Sequence, residues 1–377
     1  MNARVQLVLG LAVSTMGFAS ACEPDSSCEQ GQWRADVCIS LDVRRLDGPL
    51  GGALASGDFD GDGRVDVVGT RGAAISGSAP YLVQAAILDH PAVAIRVGAL
   101  DDDGRDDLVA VGDRRDELRL YLGSSSELLR SAGTVPFDAP ILDFQVADLD
   151  ADGHGDLVVA LGDRMEVHWR TAEGQVEAIT EFGPEGEADP APPWARRVDV
   201  GDWDGDGRLD LLVVGDWQAW HFLGRGARRF EARGDAGLAD PRRPWITGDF
   251  DRDGATELFG VFPVVAETGE NIPTIRAMAW LDEDTQLWDH DFVLLDHRET
   301  EVAAGALWPG ETLQLVTGQR DELAGTGRLT VDCLGEGSLS QCGTLLLPIS
   351  PDHVAVVGDA LVVIDERGGA WWVNWQR

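Results

Sequence analysis

The sequence predicts an all-β fold, a seven-bladed β-propeller, and three observations support this prediction. An acidic pattern recurs along the chain with a period of about fifty residues, a length typical of propeller blades. Each repeat holds about four short runs of alternating or β-branched residues bounded by glycine or aspartate, as blade strands do. The last repeat supplies only about three such runs, and a run near the amino terminus can complete it.

The repeating acidic pattern is D-x-D-x-D-G-x-x-D, preceded by a small residue and followed by an apolar run. We number its copies loop 1 (residues 58–66), loop 2 (99–107), loop 3 (148–156), loop 4 (202–210) and loop 5 (249–257). Four copies have acids at the first, third, fifth and ninth positions: Asp58, Asp60, Asp62 and Asp66; Asp148, Asp150, Asp152 and Asp156; Asp202, Asp204, Asp206 and Asp210; and Asp249, Asp251, Asp253 and Glu257. Loop 2 has Asp101, Asp103 and Asp107, but Ala99 stands at its first position.

Two further repeats keep the frame without the acids. In the sixth, Ala306, Trp308, Gly310 and Gln314 hold the first, third, fifth and ninth positions, and in the seventh "VGDALVVID" leads directly into the apolar run. The seven repeats therefore start at residues 58, 99, 148, 202, 249, 306 and 359.

Closure of the ring sets the predicted domain boundaries. The run "CISLDVRRL", residues 38–46, can pair with the last repeat, residues 349–377, and so form one blade from both termini. Such a blade hides a sheet edge that would otherwise be open. We therefore expect a signal peptide at 1–21, an amino-terminal tether at 22–37 and one propeller over 38–377.

These loops, in register with strand-like runs, resemble the FG-GAP and VCBS repeat family, which is also found in the head of integrin alpha subunits. The resemblance covers about residues 40–377 and rests on the four complete loops. It implies a seven-bladed propeller whose calcium loops join the first and second strands of a blade.

The chemistry of the loops also favours calcium, with about four to five ions. Calcium takes six to eight oxygen ligands from carboxylates, carbonyls and water, whereas magnesium demands stricter geometry and is less suited to so many carboxylates. Acids on alternate residues of a tight turn can converge on one point, and glycine at the sixth position permits the turn. The ninth acid would close the ligand shell, and the seventh residue would offer only its carbonyl. The seventh residues are Arg64, Arg105, His154, Arg208 and Ala255.

The loops admit two other interpretations. A helix–loop–helix calcium module needs glutamate at the twelfth loop position, where this chain has Gly69, Ala110, Val159, Val213 and Gly260, and its flanking segments are strand-like. Solvated acidic turns are the simpler alternative. However, two carboxylates about 4 Å apart repel by roughly 4 kcal/mol at an effective dielectric constant of 20, which favours a bound cation.

The amino terminus predicts export. Arg4 precedes an apolar run from Val5 to Phe18 and small residues before Cys22, a pattern typical of a signal peptide and too short for a stable membrane span. "ASAC" resembles a bacterial lipobox, in which Cys22 would carry the lipid, although that motif usually has leucine where Ala19 stands. Ordinary signal cleavage after Ala21 is the alternative.

The cysteines bear on the same question. There are five, and an odd number in an exported protein leaves one unpaired. If Cys22 is lipidated, the other four can form two local disulfides, Cys28 with Cys38 and Cys333 with Cys342.

The remaining sequence favours a binding or scaffolding module over an enzyme. The histidines lack zinc-ligand spacing, and neither a nucleophile elbow nor a phosphate loop is present. A net charge of −36 disfavours nucleic acid. We expect a protein or glycan ligand, membrane association only through a lipid anchor, and an outer-membrane or cell-surface location, otherwise a periplasmic or secreted one. A propeller enzyme acting on extracellular polysaccharide and a purely structural surface protein are the alternatives.

Overall fold

We analysed a computed structural model of the chain. Side chains are described in residues 54–71, 88–171, 174–183, 194–216, 219–233 and 254–256 and at a few positions beyond, and elsewhere within residues 31–376 the strands are described by their backbone. The described residues form 29 β-strands and no helix, which confirms the all-β prediction. Accordingly, no described segment is a helix of the length and hydrophobicity needed to cross a membrane.

The strands follow the sequence repeats. The first two are β1 (Gly31–Arg34) and β2 (Val37–Leu46). The repeats of loops 1 to 3 contain β3 (Leu54–Gly57), β4 (Asp66–Gly69), β5 (Ala74–Ser76) and β6 (Leu82–Gln84); β7 (Ala94–Gly98), β8 (Asp107–Val111), β9 (Glu117–Ser124) and β10 (Leu128–Pro136); and β11 (Asp143–Ala147), β12 (Asp156–Ala160), β13 (Met165–Arg170) and β14 (Val176–Phe182). The repeats of loops 4 and 5 contain β15 (Arg197–Gly201), β16 (Asp210–Val214), β17 (Ala219–Gly224) and β18 (Phe230–Asp235); and β19 (Trp245–Gly248), β20 (Glu257–Val265), β21 (Asn271–Leu281) and β22 (Asp284–Val293). The last two repeats contain β23 (Glu301–Gly305), β24 (Gln314–Asp321), β25 (Thr326–Gly335) and β26 (Ser338–Leu347); and β27 (Pro351–Val357), β28 (Ala360–Asp365) and β29 (Ala370–Gln376).

Each of the first six repeats forms one four-stranded antiparallel sheet with its strands in sequence order. The described strands divide into two compact units, one with the five sheets β3–β22 and one with the other two sheets. In the second of these units, β2 pairs antiparallel with β29, which is the pairing expected of residues 38–46 with the last repeat.

The sheet that contains both termini has five strands rather than four, in the order β1-β2-β29-β28-β27. Its extra strand β1 falls within residues 22–37, where the sequence predicts a tether. Only two residues separate β1 from β2, and Trp33 pairs with Cys38 across the hairpin. A two-residue connection of this kind lets the chain fold back on itself, and the alternation in this short segment is too brief to show it in advance.

In the first hairpin of each of the first six repeats, eight residues lie between the two paired residues that flank the loop. The residue before the loop pairs with the ninth-position residue in six sheets: Gly57 with Asp66, Gly98 with Asp107, Ala147 with Asp156, Gly201 with Asp210, Gly248 with Glu257 and Gly305 with Gln314. The sixth repeat, which lacks acids, therefore keeps the same hairpin frame.

The sheets of loops 1 to 4 pack face to face in succession. The second strands β8, β12 and β16 are buried along their whole length, because both faces of these sheets contact apolar neighbours. One apolar cluster joins the sheets of loops 1 and 2 and includes Phe59, Leu108 and Tyr121. The next two join the sheets of loops 2 and 3, and of loops 3 and 4. This stacking brings the acidic loops of consecutive sheets side by side.

Candidate metal centres

The first-position acids shape the loops by accepting hydrogen bonds from the backbone. Asp58 accepts from the N–H groups of the fifth and sixth positions at 3.0 and 2.9 Å, Asp148 at 3.0 and 2.8 Å, and Asp202 at 3.0 and 2.7 Å. The sixth-position glycines of these loops have φ between +82° and +89°. This left-handed conformation favours glycine, so glycine at the sixth position lets both N–H groups turn towards one carboxylate.

The fifth-position acids make the next turn in the same way. One Oδ1 atom accepts the N–H of the seventh residue at 2.9 Å in loops 1 to 4, for example Arg64 N–H to Asp62 and His154 N–H to Asp152. These bonds use the N–H of the seventh residue, whereas the predicted role of its carbonyl as a ligand stays a prediction.

Carboxylate oxygens converge in three of the four loops with described acids. One oxygen from each of three acids lies within 4.8 Å of the others in each group. The groups are Asp58, Asp60 and Asp62 in loop 1; Asp148, Asp150 and Asp156 in loop 3; and Asp202, Asp204 and Asp206 in loop 4. The described part of loop 2 yields no such group, since Ala99 offers no carboxylate.

The ninth-position acids lie beneath the loops. Asp66, Asp107, Asp156 and Asp210 are fully buried. Each accepts the N–H of its own second-position residue, as Asp210 does from Trp203 at 2.9 Å. In loops 2 to 4 the other oxygen accepts an N–H from the third strand: from Gly123 at 2.7 Å, Arg170 at 2.9 Å and Gly224 at 2.6 Å. These acids therefore fasten each loop to its own sheet.

Burial also changes the acidity of these groups. It raises the pKa of Asp107 to about 6 and the pKa values of Asp156 and Asp210 to about 7, while the backbone N–H donors oppose the shift. Neighbouring loop acids, Asp101 beside Asp107 and Asp204 beside Asp210, add to the rise because like charges disfavour ionisation. A cation at the loop would reverse this balance by favouring the charged form.

Two third-position oxygens show where a cation fits. Asp150 Oδ1 and Asp204 Oδ1 are buried and have no hydrogen-bond partner among the described residues. Their Oδ2 atoms accept hydrogen bonds from two arginines of the β17–β18 connection. Arg228 Nε donates to Asp150 at 2.7 Å, and Arg225 Nη1 donates to Asp204 at 3.3 Å. A buried carboxylate oxygen without a donor is costly, so the residues present in loops 3 and 4 suit an oxygen-binding cation.

Neighbouring loops contact one another through the eighth position. In the seam between loops 1 and 2, Asp58 N–H donates to Asp106 Oδ2 at 2.7 Å, and Asp106 N–H donates to Asp58 O at 3.1 Å. Between loops 4 and 5, Asp202 N–H donates to Thr256 Oγ1 at 2.9 Å, and Thr256 N–H donates to Asp202 O at 2.6 Å. The eighth residue of one loop thus positions the first acid of the preceding loop.

The acids of loop 2 make local contacts of the same kind as those of the other described loops. Asp103 forms an ion pair with Arg105, and Asp101 accepts the N–H of Asp103 at 3.2 Å. Asp107 accepts the N–H groups of Leu100 at 2.5 Å and Asp101 at 3.2 Å.

Several predicted residues lie outside the described part of the structure. These are the signal peptide, Cys22, Cys28, and the loop 5 acids Asp249, Asp251 and Asp253. Glu257 and the other three cysteines are described by their backbone only. In the β25–β26 hairpin, Cys333 pairs with Ser340, and Cys342 lies beside a register shift at Val331 and Asp332. The two cysteines are therefore not directly opposite, and both disulfides stay predictions.

Sequence reasoning missed Asp106, Thr256, Arg170, Arg225 and Arg228 as residues of these sites. Their only signal is positional: Asp106 and Thr256 hold the eighth position, and Arg170 replaces the glycine found at Gly123 and Gly224 in the equivalent third strands. Asp106, Thr256 and Arg228 contact acids of the preceding repeat, so spacing within one repeat cannot show them. Arg225 instead contacts Asp204 of its own repeat.

The sheets, registers and loops define a class of protein built from repeated four-stranded sheets, each with an acidic loop between its first two strands. The model of the FG-GAP-like repeat matches this chain three times in succession, at residues 100–159, 148–213 and 202–260. Residues 100–260 therefore match FG-GAP-like repeats, which confirms the resemblance predicted from the loops over this part of the chain. No curated protein matches the sequence significantly.

Solved structures with a similar fold are distant in sequence. BBS1N, crystallised in complex with ARL6DN, has a TM-score of 0.56 and 13% identity, over 88% of this chain and 96% of its own. An Agrocybe aegerita lectin that recognises non-reducing terminal N-acetylglucosamine has a TM-score of 0.51 and 13% identity, over 81% and 82%. A putative 6-phosphogluconolactonase from Bacteroides uniformis has a TM-score of 0.50 and 13% identity, over 84% and 89%. At this identity the similarity concerns the fold alone.

Proposed function

We propose that this chain is a calcium-stabilised, seven-bladed β-propeller that acts as a non-catalytic binding or scaffolding module at the bacterial cell envelope. The observation that carries the proposal is the convergence of carboxylate oxygens in loops 1, 3 and 4, together with the buried, unpartnered oxygens of Asp150 and Asp204.

Calcium suits these loops better than an empty acidic turn. The ion would be held by the three-acid groups of loops 1, 3 and 4 and by seventh-position carbonyls, and loop 5 has the same residues in sequence. When bound, calcium supplies a double positive charge that offsets repulsion among the carboxylates. Most of the N–H donors to these acids are neutral backbone groups, so they orient the carboxylates without neutralising them.

The seven-bladed ring is supported by three observations. Seven sheets match seven sequence repeats, the β2–β29 pairing joins both ends of the chain in one sheet, and residues 100–260 are FG-GAP-like repeats. A sheet completed by both termini would close the ring without an open edge.

A binding role is supported by how the acids are used. They lie at equivalent positions in successive repeats instead of converging on one cleft, and in loops 1 to 4 backbone N–H groups hold them. The ligand would be a protein or a glycan met by the connections between strands, which vary in length without disturbing the sheets. The net charge of −36 disfavours nucleic acid as the ligand.

Calcium counting tests the ion sites. Native mass spectrometry of the wild-type protein in calcium should show several bound ions, and Asp202→Ala combined with Asp204→Ala should remove one. Substitution of Trp308 or Gln314, which hold the same frame in the sixth repeat without acids, should remove none. Absence of bound calcium, or an equal loss in both sets of variants, would refute the proposed sites.

The envelope location has its own test. Cys22→Ser should release the protein from membranes or block its processing, because a diacylated cysteine holds a protein far more firmly than weak surface contacts do. Fractionation of cells that express either the wild type or the variant measures how much of each protein is bound to membranes. Wild-type protein recovered as soluble material without acyl groups would instead support ordinary signal cleavage.

A further inference from the structure

The connection between β17 and β18, residues 225–229, carries two arginines that contact two successive acidic loops. Arg228 forms an ion pair with Asp150, the third-position acid of loop 3, in which Nε donates to Oδ2 at 2.7 Å. Arg225 is arranged in the same way at loop 4, where its Nη1 donates to Asp204 Oδ2 at 3.3 Å. One connection of the fourth repeat thus contacts the third-position acids of loops 3 and 4.

The two arginines coincide with a change in how the third-position acids are held. In loop 1, Asp60 Oδ1 accepts the N–H of Asp62 at 3.1 Å. In loop 2, Asp101 Oδ1 accepts the N–H of Asp103 at 3.2 Å. In loops 3 and 4 the corresponding Oδ1 atoms are buried and have no hydrogen-bond partner among the described residues. A carboxylate that an arginine holds by one oxygen therefore keeps its other oxygen without a donor.

Arg228 is fixed by three residues of the third repeat. Its guanidinium carbon lies 5.3 Å from the centre of the Trp169 ring, and its Nη1 donates to Glu177 Oε2 at 3.0 Å. Its third partner, Asp150, has a side chain that is only 10% exposed. Arg228 itself belongs to the fourth repeat, so its side chain crosses the seam between two repeats. A planar guanidinium fixed in this way is well suited to orient a carboxylate.

Glutamates offset the charge of both arginines. Arg228 is paired with Glu177, and Arg225 Nε donates to Glu231 Oε2 at 2.8 Å. Each arginine–glutamate pair has no net formal charge, so the pair as a whole adds no positive charge that would repel a calcium ion. What the pair supplies to the aspartate is a hydrogen-bond donor in a fixed position.

These arginines are not part of the general repeat pattern. The strand registers align the connection of the fourth repeat with residues 124–128 of the second repeat and with the equivalent connection of the third. Ser124 and Glu127 stand at the places of the two arginines in the second repeat, and Thr171 and Gly174 stand there in the third. Within these three repeats, arginines at both places occur in the fourth alone.

We propose that Arg228 is a positioning residue for the ion of loop 3, supplied by the next repeat, and that Arg225 has the same role at loop 4. Each arginine holds one oxygen of a third-position acid so that the other oxygen faces the ion. Replacing the hydrogen-bond partner of a metal ligand typically costs about 10- to 100-fold in metal affinity. This inference rests on the proposed calcium binding of loops 3 and 4, and it makes one connection responsible for ligand orientation at both sites.

The dissociation constant of the loop 3 ion tests this role. In a calcium titration followed by native mass spectrometry, Arg228→Met should raise the Kd of one ion by about 10- to 100-fold. Asp148→Ala with Asp150→Ala should remove the loop 3 ion, and in that background Arg228→Met should weaken no other ion. Arg229→Met, at the exposed neighbouring position, makes the same change in charge and should leave every Kd unchanged.

A second variant separates orientation from charge. Arg228→Met with Glu177→Gln keeps the wild-type net charge and should weaken the loop 3 ion as Arg228→Met does. A wild-type Kd in this double variant would show that Arg228 acts through charge and would overturn the proposal. An unchanged or lower Kd in Arg228→Met would also overturn it, even if the variant is less stable in chelator, because the affinity of the folded protein does not depend on its overall stability. A wild type that binds no calcium would overturn the proposed function as well.

Discussion

Asp210 and Asp202 belong to the same acidic loop, yet we predict that their replacement by alanine changes the stability of the protein in different ways. Asp210 is fully buried and accepts hydrogen bonds from Trp203 N–H at 2.9 Å and Gly224 N–H at 2.6 Å. Asp202 accepts hydrogen bonds from the N–H groups of Asp206 and Gly207, which are exposed. Water can replace the acceptor in the second case but not in the first.

The expected costs follow from this difference in burial. Each buried N–H left without an acceptor costs about 1–3 kcal/mol, so Asp210→Ala should lose about 2–6 kcal/mol of unfolding free energy. The variant also no longer buries a carboxylate, and burial is unfavourable enough to raise the pKa of Asp210 to about 7. The expected loss of unfolding free energy therefore lies towards the lower end of this range. Asp202→Ala should change the stability of the calcium-free protein by less than about 1 kcal/mol, as surface substitutions do.

Calcium should separate the two variants further. A site filled at one hundred times its dissociation constant adds about 2.7 kcal/mol. Asp202→Ala should lose this increment at loop 4, whereas Asp210→Ala should be less stable in chelator as well as in calcium. Denaturant unfolding of both variants and the wild type, each in chelator and in calcium, measures all of these differences. If both variants have the wild-type midpoint in chelator, the ninth acid does not fasten the loop and our interpretation of its buried hydrogen bonds is wrong.

Three further predictions concern the same elements. Gly123→Ala should destabilise the protein with or without calcium, because its Cβ atom would lie 2.6 Å from Asp106 O. The control Gly133→Ser has no atom within 4 Å of the added Cβ and should cost only its backbone strain at φ +121°. Equal denaturation midpoints of the two variants would contradict the close approach at Gly123. In chelator, stability should fall as pH rises from about 4 to about 7, because burial raises the pKa values of Asp156 and Asp210 from 3.8 to about 7 and that of Asp107 to about 6. These three acids outweigh His221, whose pKa burial lowers to about 4 and which acts in the opposite direction. A rise over this range in a pH series would contradict the prediction. Asp106→Ala should weaken calcium binding at loop 1 rather than at loop 2, because Asp106 Oδ2 accepts the N–H of Asp58 at 2.7 Å. Ion counting on Asp106→Ala, Asp58→Ala and the double variant should show that both substitutions affect the same ion. Loss of two ions in the double variant would contradict this prediction.

Much of the fold could be predicted from the sequence because the relevant signals are local. Position nine of each loop pairs with the residue just before the loop, so the loop pattern alone fixes the register of a hairpin, even in the sixth repeat, where Gln314 replaces the acid. Glycine at the sixth position is explained by one backbone angle, as at Gly207 with φ +82°. Such features depend on a few consecutive residues and can be predicted without knowing how the sheets stack.

The site could be predicted only in part, because a carboxylate in a repeat can serve two purposes that look the same in sequence. The ninth acid was expected to be an ordinary ligand, yet Asp210 gives both oxygens to buried backbone donors. Asp156 does the same and also joins the acid group of its loop. The second donor comes from the third strand, which the spacing within one loop does not show.

Contacts between repeats explain the remaining gap and indicate how such loops can diverge. The first acid of loop 1 is held by Asp106 and that of loop 4 by the equivalent Thr256, so one seam uses a charge and the other a hydroxyl for the same backbone hydrogen bond. The seam between loops 2 and 3 uses neither: Gly155 lies so close to loop 2 that a Cβ atom there would be 2.3 Å from Ala99 O, and the Arg170 guanidinium donates to Leu100 O and Gly155 O. Loss of an acid in one repeat is thus matched by a change in the next repeat, and a loop can lose its ligand set while its sheet keeps the packing and register of the others.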